Sequence, residues 1–231
     1  MDEFKVPIYL MTGFLESGKT SFLNFTLAQE YFQIDEPTLL ILCEEGEEEY
    51  DKKALKKSRT SVEVIDSIEE LTTERLVAYD AFYNPGRVII EYNGMWQVSK
   101  LEELTFPSGW GIEQHIVTVD ASTFQVYLNN MKSLFMEMVR NADLVLFNRA
   151  DTELPLANFR RSIKVVNPGA ELIFEDEEGE IEDIFDGEMP FDVKAETIEI
   201  PNEDYGIWYL DSLDHLERYE GKTLSFVAQV L

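Results

Sequence analysis

The stretch GFLESGKT, residues 13–20, decides how the rest of the chain is read. It satisfies G-x-x-x-x-G-K-[ST], the phosphate-binding loop, at every fixed position: Gly13, Gly18, Lys19 and Thr20. Such a loop needs a buried strand in front and a helix behind. VPIYLMT (6–12) is an apolar run of strand length, and KTSFLNFTLAQEYF (19–32) sets Phe22, Phe25 and Leu27 at roughly helical spacing. Backbone N–H groups from Ser17 to Thr20 are then expected to cradle phosphates, with the helix dipole adding positive potential. Lys19 would reach the β- and γ-phosphates, and the Thr20 hydroxyl would ligate Mg²⁺. Glu16, Ser17 and Ser21 complete the binding candidates of this segment. Without a nucleotide, the Lys19 amine is expected to be a solvated end group.

Outward from the loop, further apolar runs appear at 38–44 (TLLILCE), 87–93 (RVIIEYN), 115–121 (HIVTVDA), 143–150 (DLVLFNRA) and 170–176 (AELIFED). Near-continuous Val, Ile and Leu is the signature of strands covered on both faces. Helix-like segments lie between them, clearest at 122–141. This alternation predicts an α/β fold with a doubly wound, mostly parallel sheet, the phosphate-loop NTPase architecture.

Composition narrows the function. The chain has 231 residues, 45% of them hydrophobic, enough for one full core. With 19 Lys+Arg against 46 Asp+Glu the net charge is −27, which repels nucleic acid and anionic lipid over most of the surface. A single cysteine, Cys43, permits no internal disulfide and no multi-thiolate site, which suits a reducing compartment, the cytoplasm. The N-terminus opens with charges of both signs and its apolar run is only a strand long, so neither signal peptide nor membrane insertion is expected.

Two further motifs carry chemistry. NRAD, residues 148–151, follows the run DLVLF. One carboxylate, that of Asp151, can accept both N1–H and the 2-amino group of guanine, a donor pair adenine lacks. Asn148 would bridge loop elements and the Arg149 guanidinium would stack over the base. In VIIEYNG (88–94), Glu91 ends an internal strand, the place where the water shell of Mg²⁺ is anchored in this architecture, and Gly94 would let the backbone approach the γ-phosphate. Lys19, Thr20 and Glu91 are therefore the catalytic candidates.

These segments, with LLILCEEGEEEYD, IVTVDASTF and VVNPGAEL in order, resemble the CobW-like GTPases, relatives of the urease and hydrogenase nickel-insertion GTPases, over residues 6–173. The resemblance implies GTP/GDP as ligand, Mg²⁺ as cofactor, and a nucleotide-sensing segment at 43–51 in which Glu44 and Asp51 stand near Mg²⁺. It also implies that Asn167 of NPGA lies near the base. The chain departs from the family where a C-x-C-C metal motif is expected, between Asp51 and Asp80: SVEVIDSIEELTTERLVAYD holds neither cysteine nor histidine. Tyr92 replaces a threonine after the strand-ending Glu91, Glu16 stands where glycine is frequent, and His115 and His215 are the only histidines.

The expected organisation is a GTPase domain over 1–200 and a C-terminal helix–strand extension over 201–231, the start of a second domain of a longer chain. The ten acidic residues of 171–188 read as a solvated loop or edge hairpin. The strand ending the extension needs a partner, either the main sheet or a neighbouring copy in a homodimer. The reading is a Mg²⁺-dependent GTPase of slow turnover that acts as a switch for an unidentified protein client. A non-hydrolysing guanine-nucleotide subunit, a metallochaperone GTPase using other ligands, a hard-metal binder built on the acidic stretches, and an ATP-using transferase stay open as alternatives.

Overall fold

The computed structural model describes residues 4–44, 46–181 and 189–227. Strands β1 (Val6–Thr12), β2 (Thr38–Leu42), β3 (Thr60–Val64), β4 (Arg87–Glu91), β5 (Trp110–Asp120), β6 (Leu144–Asn148) and β7 (Glu171–Phe174) form one sheet in the order β3-β2-β4-β1-β5-β6-β7. Every neighbouring pair is parallel. Parallel strands require crossovers, supplied here chiefly by helices α1 (Lys19–Ala28), α2 (Lys52–Lys57), α3 (Thr73–Tyr83), α4 (Val98–Glu102), α5 (Phe124–Asn130), α6 (Lys132–Arg140) and α7 (Leu156–Lys164). Because these helices cover both faces, β4 is buried at all five positions. Strand side chains alternate between faces. Ile8, Leu10, Val88 and Ile90 therefore enter one core, while Met11, Leu40, Ile89 and Ile116 pack with Leu23 and Leu27 of α1 in another.

β1 lies at the centre, with β4 on one side and β5 on the other. Chain leaving β1 turns toward β2, whereas chain leaving β5 turns toward β6. The crevice beyond the carboxyl ends of these strands is where ligands bind in open α/β sheets. The phosphate loop, Glu44, Glu91, Asp120 and Asn148 all follow or end strands at that edge.

The structure differs from the sequence expectation in several places. α1 stops at Ala28, and Phe25 is 64% exposed, so the buried stripe is Leu23, Thr26 and Leu27. The edge strand β3 was hidden in a polar run, with no residue fully buried. The long helix expected at 122–141 is two, α5 and α6, divided at Met131 (φ −132, ψ 31). The reason is packing: the rings of Phe124 and Phe135 meet at 5.4 Å, whereas residues eleven apart in a straight helix are about 16 Å apart along its axis.

Beyond the main sheet, β8 (Thr197–Glu199) pairs in parallel with β9 (Thr223–Ser225), and α8 (Tyr205–Asp214) lies between them in the chain. The C-terminal strand thus finds a partner within the chain in β8, apart from the main sheet. Its small core joins Phe191, Val193, Ile198, Ile200 and Tyr219, so it draws on both sides of residue 200. The acidic stretch turns at Asp176–Gly179 with an antiparallel bridge between Glu175 and Glu180, while 182–188 and 228–231 lie outside the described residues. Among the described residues no helix is long and apolar enough to cross a membrane.

Candidate nucleotide-binding site

The loop 13–20 joins β1 to α1 and is held by backbone contacts that exclude side chains. Gly18, at φ 94, precedes α1 in the left-handed region, and a Cβ there would lie 2.6 Å from Asn148 Nδ2. Gly13 (φ 141) lies equally tight against Thr118 O, where a Cβ would stand at 2.4 Å. Ser17 N donates to Phe14 O at 3.1 Å, and the Ser17 and Thr118 hydroxyls share a hydrogen bond at 2.8 Å. At Gly94 a Cβ would come within 2.2 Å of Gly13 O. It abuts the loop's own backbone.

Lys19 is not the solvated group expected. It is 4% exposed and donates to Gly13 O and Phe14 O, both at 3.0 Å, and to Glu44 Oε2 at 2.6 Å. The carboxylate partner sits at 9% side-chain exposure, so the pair is largely withdrawn from water. An ammonium held away from solvent requires hydrogen bonds on its protons, and the loop carbonyls and Glu44 supply them. Thr20 Oγ1 donates to Glu91 Oε1 at 2.9 Å, and Tyr50 OH donates to Glu91 Oε2. Burial pushes the Glu91 carboxyl above the usual range, opposed by the bonds from Tyr50 and Thr20 and the charge of Lys19. The Tyr50 phenol is pushed up by burial first and then by Glu91, so it remains the donor. The Cys43 thiol, also buried, is pushed up to about 12, with Glu91 and Glu44 adding to the effect.

Residues 46–51 lie against the loop and α1. Ser21 Oγ donates to Glu48 Oε2, Asn24 Nδ2 donates to Glu48 Oε1 (3.2 Å) and Glu49 O (3.1 Å), and Glu47 N donates to Glu16 Oε1 at 3.3 Å. Glu16 itself holds a left-handed backbone, φ 60. Asp51 is placed as the N-cap of α2, its Oδ1 accepting from Lys53 N at 2.8 Å. The space left above Lys19, bounded by Glu44, Glu48 and Arg149, is about 40 Å³.

On the base side, Asn148 Nδ2 donates to Ser17 O at 2.6 Å, the bridge expected of it. Arg149 (φ 50) points inward to the phosphate loop: Nη1 donates to Glu16 O at 3.1 Å and pairs with Asp120 Oδ2 at 2.7 Å. Asp151 is exposed and its Oδ1 accepts from Glu153 N at 2.9 Å, while Ala150 N donates to Glu175 O. Asn167 corrects the expectation. It precedes β7 at the opposite edge of the parallel sheet, and its Nδ2 donates to Val139 O (2.9 Å) and Ala142 O (2.8 Å). Its amide therefore clamps the end of α6. Tyr92 enters the core under α3 and donates its phenol to Gln97 O.

Sequence reasoning missed Tyr50, Glu48, Thr118 and Asp120. Asp120 ends an apolar strand as Glu91 does, and that position was the available signal. Nothing in the run EEGEEEYD marked Tyr50 and Glu48 off from their neighbours. Beneath the loop, His115 Nε2 shares a bond of 2.9 Å with Thr12 Oγ1, and burial lowers the imidazole to about 4, so the ring is neutral. Among the described residues no three His, Cys, Asp or Glu side chains are grouped to hold a metal ion by themselves.

The all-parallel sheet, the glycine-bounded loop and the lysine and threonine at its helix end define a phosphate-loop nucleotide-binding domain. The family model of the CobW/HypB/UreG nucleotide-binding domain matches residues 7–174, and the chain belongs to that family. No curated protein sequence matches the chain. Among solved structures, Zn(II)-bound YjiA GTPase from E. coli superposes with a TM-score of 0.55 at 20% identity, over 79% of this chain and 60% of that one. Hydrogenase maturation factor HypB from Archaeoglobus fulgidus gives 0.49 at 18% identity, over 74% and 82%. HypB from Helicobacter pylori in complex with nickel gives 0.46 at 11%, over 97% and 92%. The YjiA likeness shows the shared fold.

Proposed function

We propose that this chain is a Mg²⁺-dependent guanine-nucleotide switch of the CobW type with slow GTP hydrolysis, working in the cytoplasm on a protein client. The observation that carries the reading is the Lys19–Glu44 pair inside an intact phosphate loop, with Thr20 and Glu91 bonded beside it. The donors around that point are all oxygen: the Thr20 hydroxyl and the Glu91 and Glu44 carboxylates. They suit Mg²⁺, which takes one or two carboxylates and completes its coordination with phosphate and water. When bound, Mg²⁺ would neutralise charge on the β- and γ-phosphates.

The chain's own residues supply the rest. Lys19 exchanges Glu44 for phosphate oxygen, and the loop N–H groups and α1 dipole hold the negative charge. Asp151 reads the base, and Asn148 and Arg149 lock the base loop to the phosphate loop. Among the described residues no side chain stands out as a general base, which favours slow turnover by positioning alone. Metal delivery of the kind suggested by the zinc and nickel in the neighbours' names would need ligands other than a C-x-C-C motif. The test is isothermal titration of GTP, GDP and ATP with and without Mg²⁺ against the parent chain and Lys19→Ala. Binding of GTP and GDP above ATP, lost in the variant, is expected. Equal affinity of the variant for GTP overturns the phosphate-loop assignment, and absence of phosphate release over hours overturns hydrolysis.

A further inference from the structure

Immediately behind residues 46–51, the charge of the chain reverses. Lys52, Lys53, Lys56, Lys57 and Arg59 place five of the 19 basic residues within eight positions, and residues 52–62 contain no carboxylate. α2 turns Ala54 inward, and Leu55 packs against the α1 core. That spacing drives all four helix lysines to the surface, and all five basic residues are exposed. In a chain of net charge −27 this is an anomaly. Among the described residues none of the five is ion-paired: Lys57 Nζ donates to Ala28 O at 2.9 Å and Arg59 Nη1 to Asp35 O, both backbone carbonyls.

An apolar anchor stands beside them. α1 and α2 lie side by side, joined by Lys57 to Ala28 O and by Asp51 N to Asn24 Oδ1 at 3.0 Å. Phe25 is the helix position next to Asn24 and three before Ala28, and it is 64% exposed. A row of ammonium groups about 9 Å long, with one exposed aromatic ring on the adjoining helix, is a surface of definite chemistry.

We infer that α2 and Phe25 form a docking surface for a short acidic polypeptide segment bearing an apolar side chain, presented by a partner protein. The extent of the patch favours this over other polyanions. A duplex or an anionic bilayer presents charge over a span much larger than one six-residue helix and would meet the acidic remainder of the chain within about a Debye length, ~10 Å. A short segment meets only the lysines. The docked segment lies directly behind Tyr50 and Asp51, where the chain leaves the nucleotide site.

The experiment uses fluorescence anisotropy of a labelled five-residue peptide, Asp-Glu-Leu-Glu-Asp, short enough to be confined to the lysine patch. The full chain is the binder, and a twelve-nucleotide oligothymidylate and phosphatidylserine vesicles are the comparison probes. The variant is Lys52→Glu/Lys53→Glu/Lys56→Glu, which spares the two residues tied to backbone, with its melting temperature measured to establish folding. The expected result is saturable peptide binding that weakens with added salt, falls by at least about tenfold in the triple variant, and falls severalfold in Phe25→Ala. Oligonucleotide and vesicles should bind more weakly than the peptide. Peptide affinity unchanged in a folded triple variant overturns the inference, and so does tighter binding of oligonucleotide or vesicles. Lys19→Ala must keep the peptide affinity, so a failure of the nucleotide reading and a failure of the docking surface give separate signals.

Discussion

Lys19 Nζ lies 2.6 Å from Glu44 Oε2, so the cation that would meet a nucleotide phosphate is already met by a carboxylate of the chain. Under the proposed function a phosphate oxygen would take the place of Glu44 on Lys19, which would couple nucleotide binding to displacement of Glu44. A ligand shifts such an equilibrium by its differential affinity for the two arrangements, and here the difference is the exchange of one anion for another.

Replacing Glu44 by Gln keeps an acceptor for Lys19 and removes the competing charge. GDP measured without Mg²⁺ should bind about tenfold more tightly, ~1.4 kcal/mol. Titration calorimetry reads this directly, and an unchanged or weaker GDP affinity refutes competition at Lys19.

Glu91 carries the opposite sign. Its folded-state carboxyl is raised chiefly by burial, so its contribution to stability is full below the ordinary carboxylate pKa and is lost as pH rises through the raised value. At neutral pH Glu91→Gln should leave the melting temperature of the nucleotide-free chain unchanged or higher. The same variant should lose the Mg²⁺-dependent part of GTP binding. A lower melting temperature together with intact Mg²⁺ dependence would show that Glu91 is a structural acceptor only.

Asp151→Asn exchanges two acceptor oxygens for one acceptor and one donor. GTP affinity should fall by about a hundredfold or more, roughly 3 kcal/mol, while ATP affinity changes by less than about threefold. Equal losses for both nucleotides would place base recognition elsewhere.

His115 predicts a pH dependence of folding. Its imidazole is lowered to about 4 by burial, so the unfolded chain binds the extra proton between about pH 6.5 and 4, and stability is lost as pH falls through that window. Between pH 7 and 5 the loss attributable to this group is about 2 kcal/mol. Urea unfolding at the two values, compared between the parent and His115→Gln, isolates it. A variant that loses as much stability as the parent between the two pH values refutes the assignment.

Much of the fold was legible because its determinants are local. A strand buried on both faces must be apolar throughout, which made β1, β2, β4 and β6 visible as runs of Val, Ile and Leu. The phosphate loop needs glycine at two strained or crowded backbone positions and a lysine and hydroxyl at the start of a helix, and GFLESGKT supplies them in one window. β3 escaped because an edge strand buries too little to impose a pattern. The break at Met131 escaped because both halves of 122–141 are good helix and only the meeting of Phe124 with Phe135 requires the turn.

What the sequence by itself determined, then, is that a nucleotide phosphate has a place on this chain, since that place is built from neighbours in sequence. Tertiary structure alone decided what surrounds it. Glu44 reaches Lys19 from 25 positions away and Tyr50 reaches Glu91 from 41. Asp120 turns Arg149 toward the phosphate loop, and Asn167 is carried to the far edge of the sheet by the direction of β7. Spacing along a chain fixes which side chains share a turn of helix or a strand face. Which carboxylate meets which cation is set by the order and parallel sense of strands that only the assembled sheet possesses.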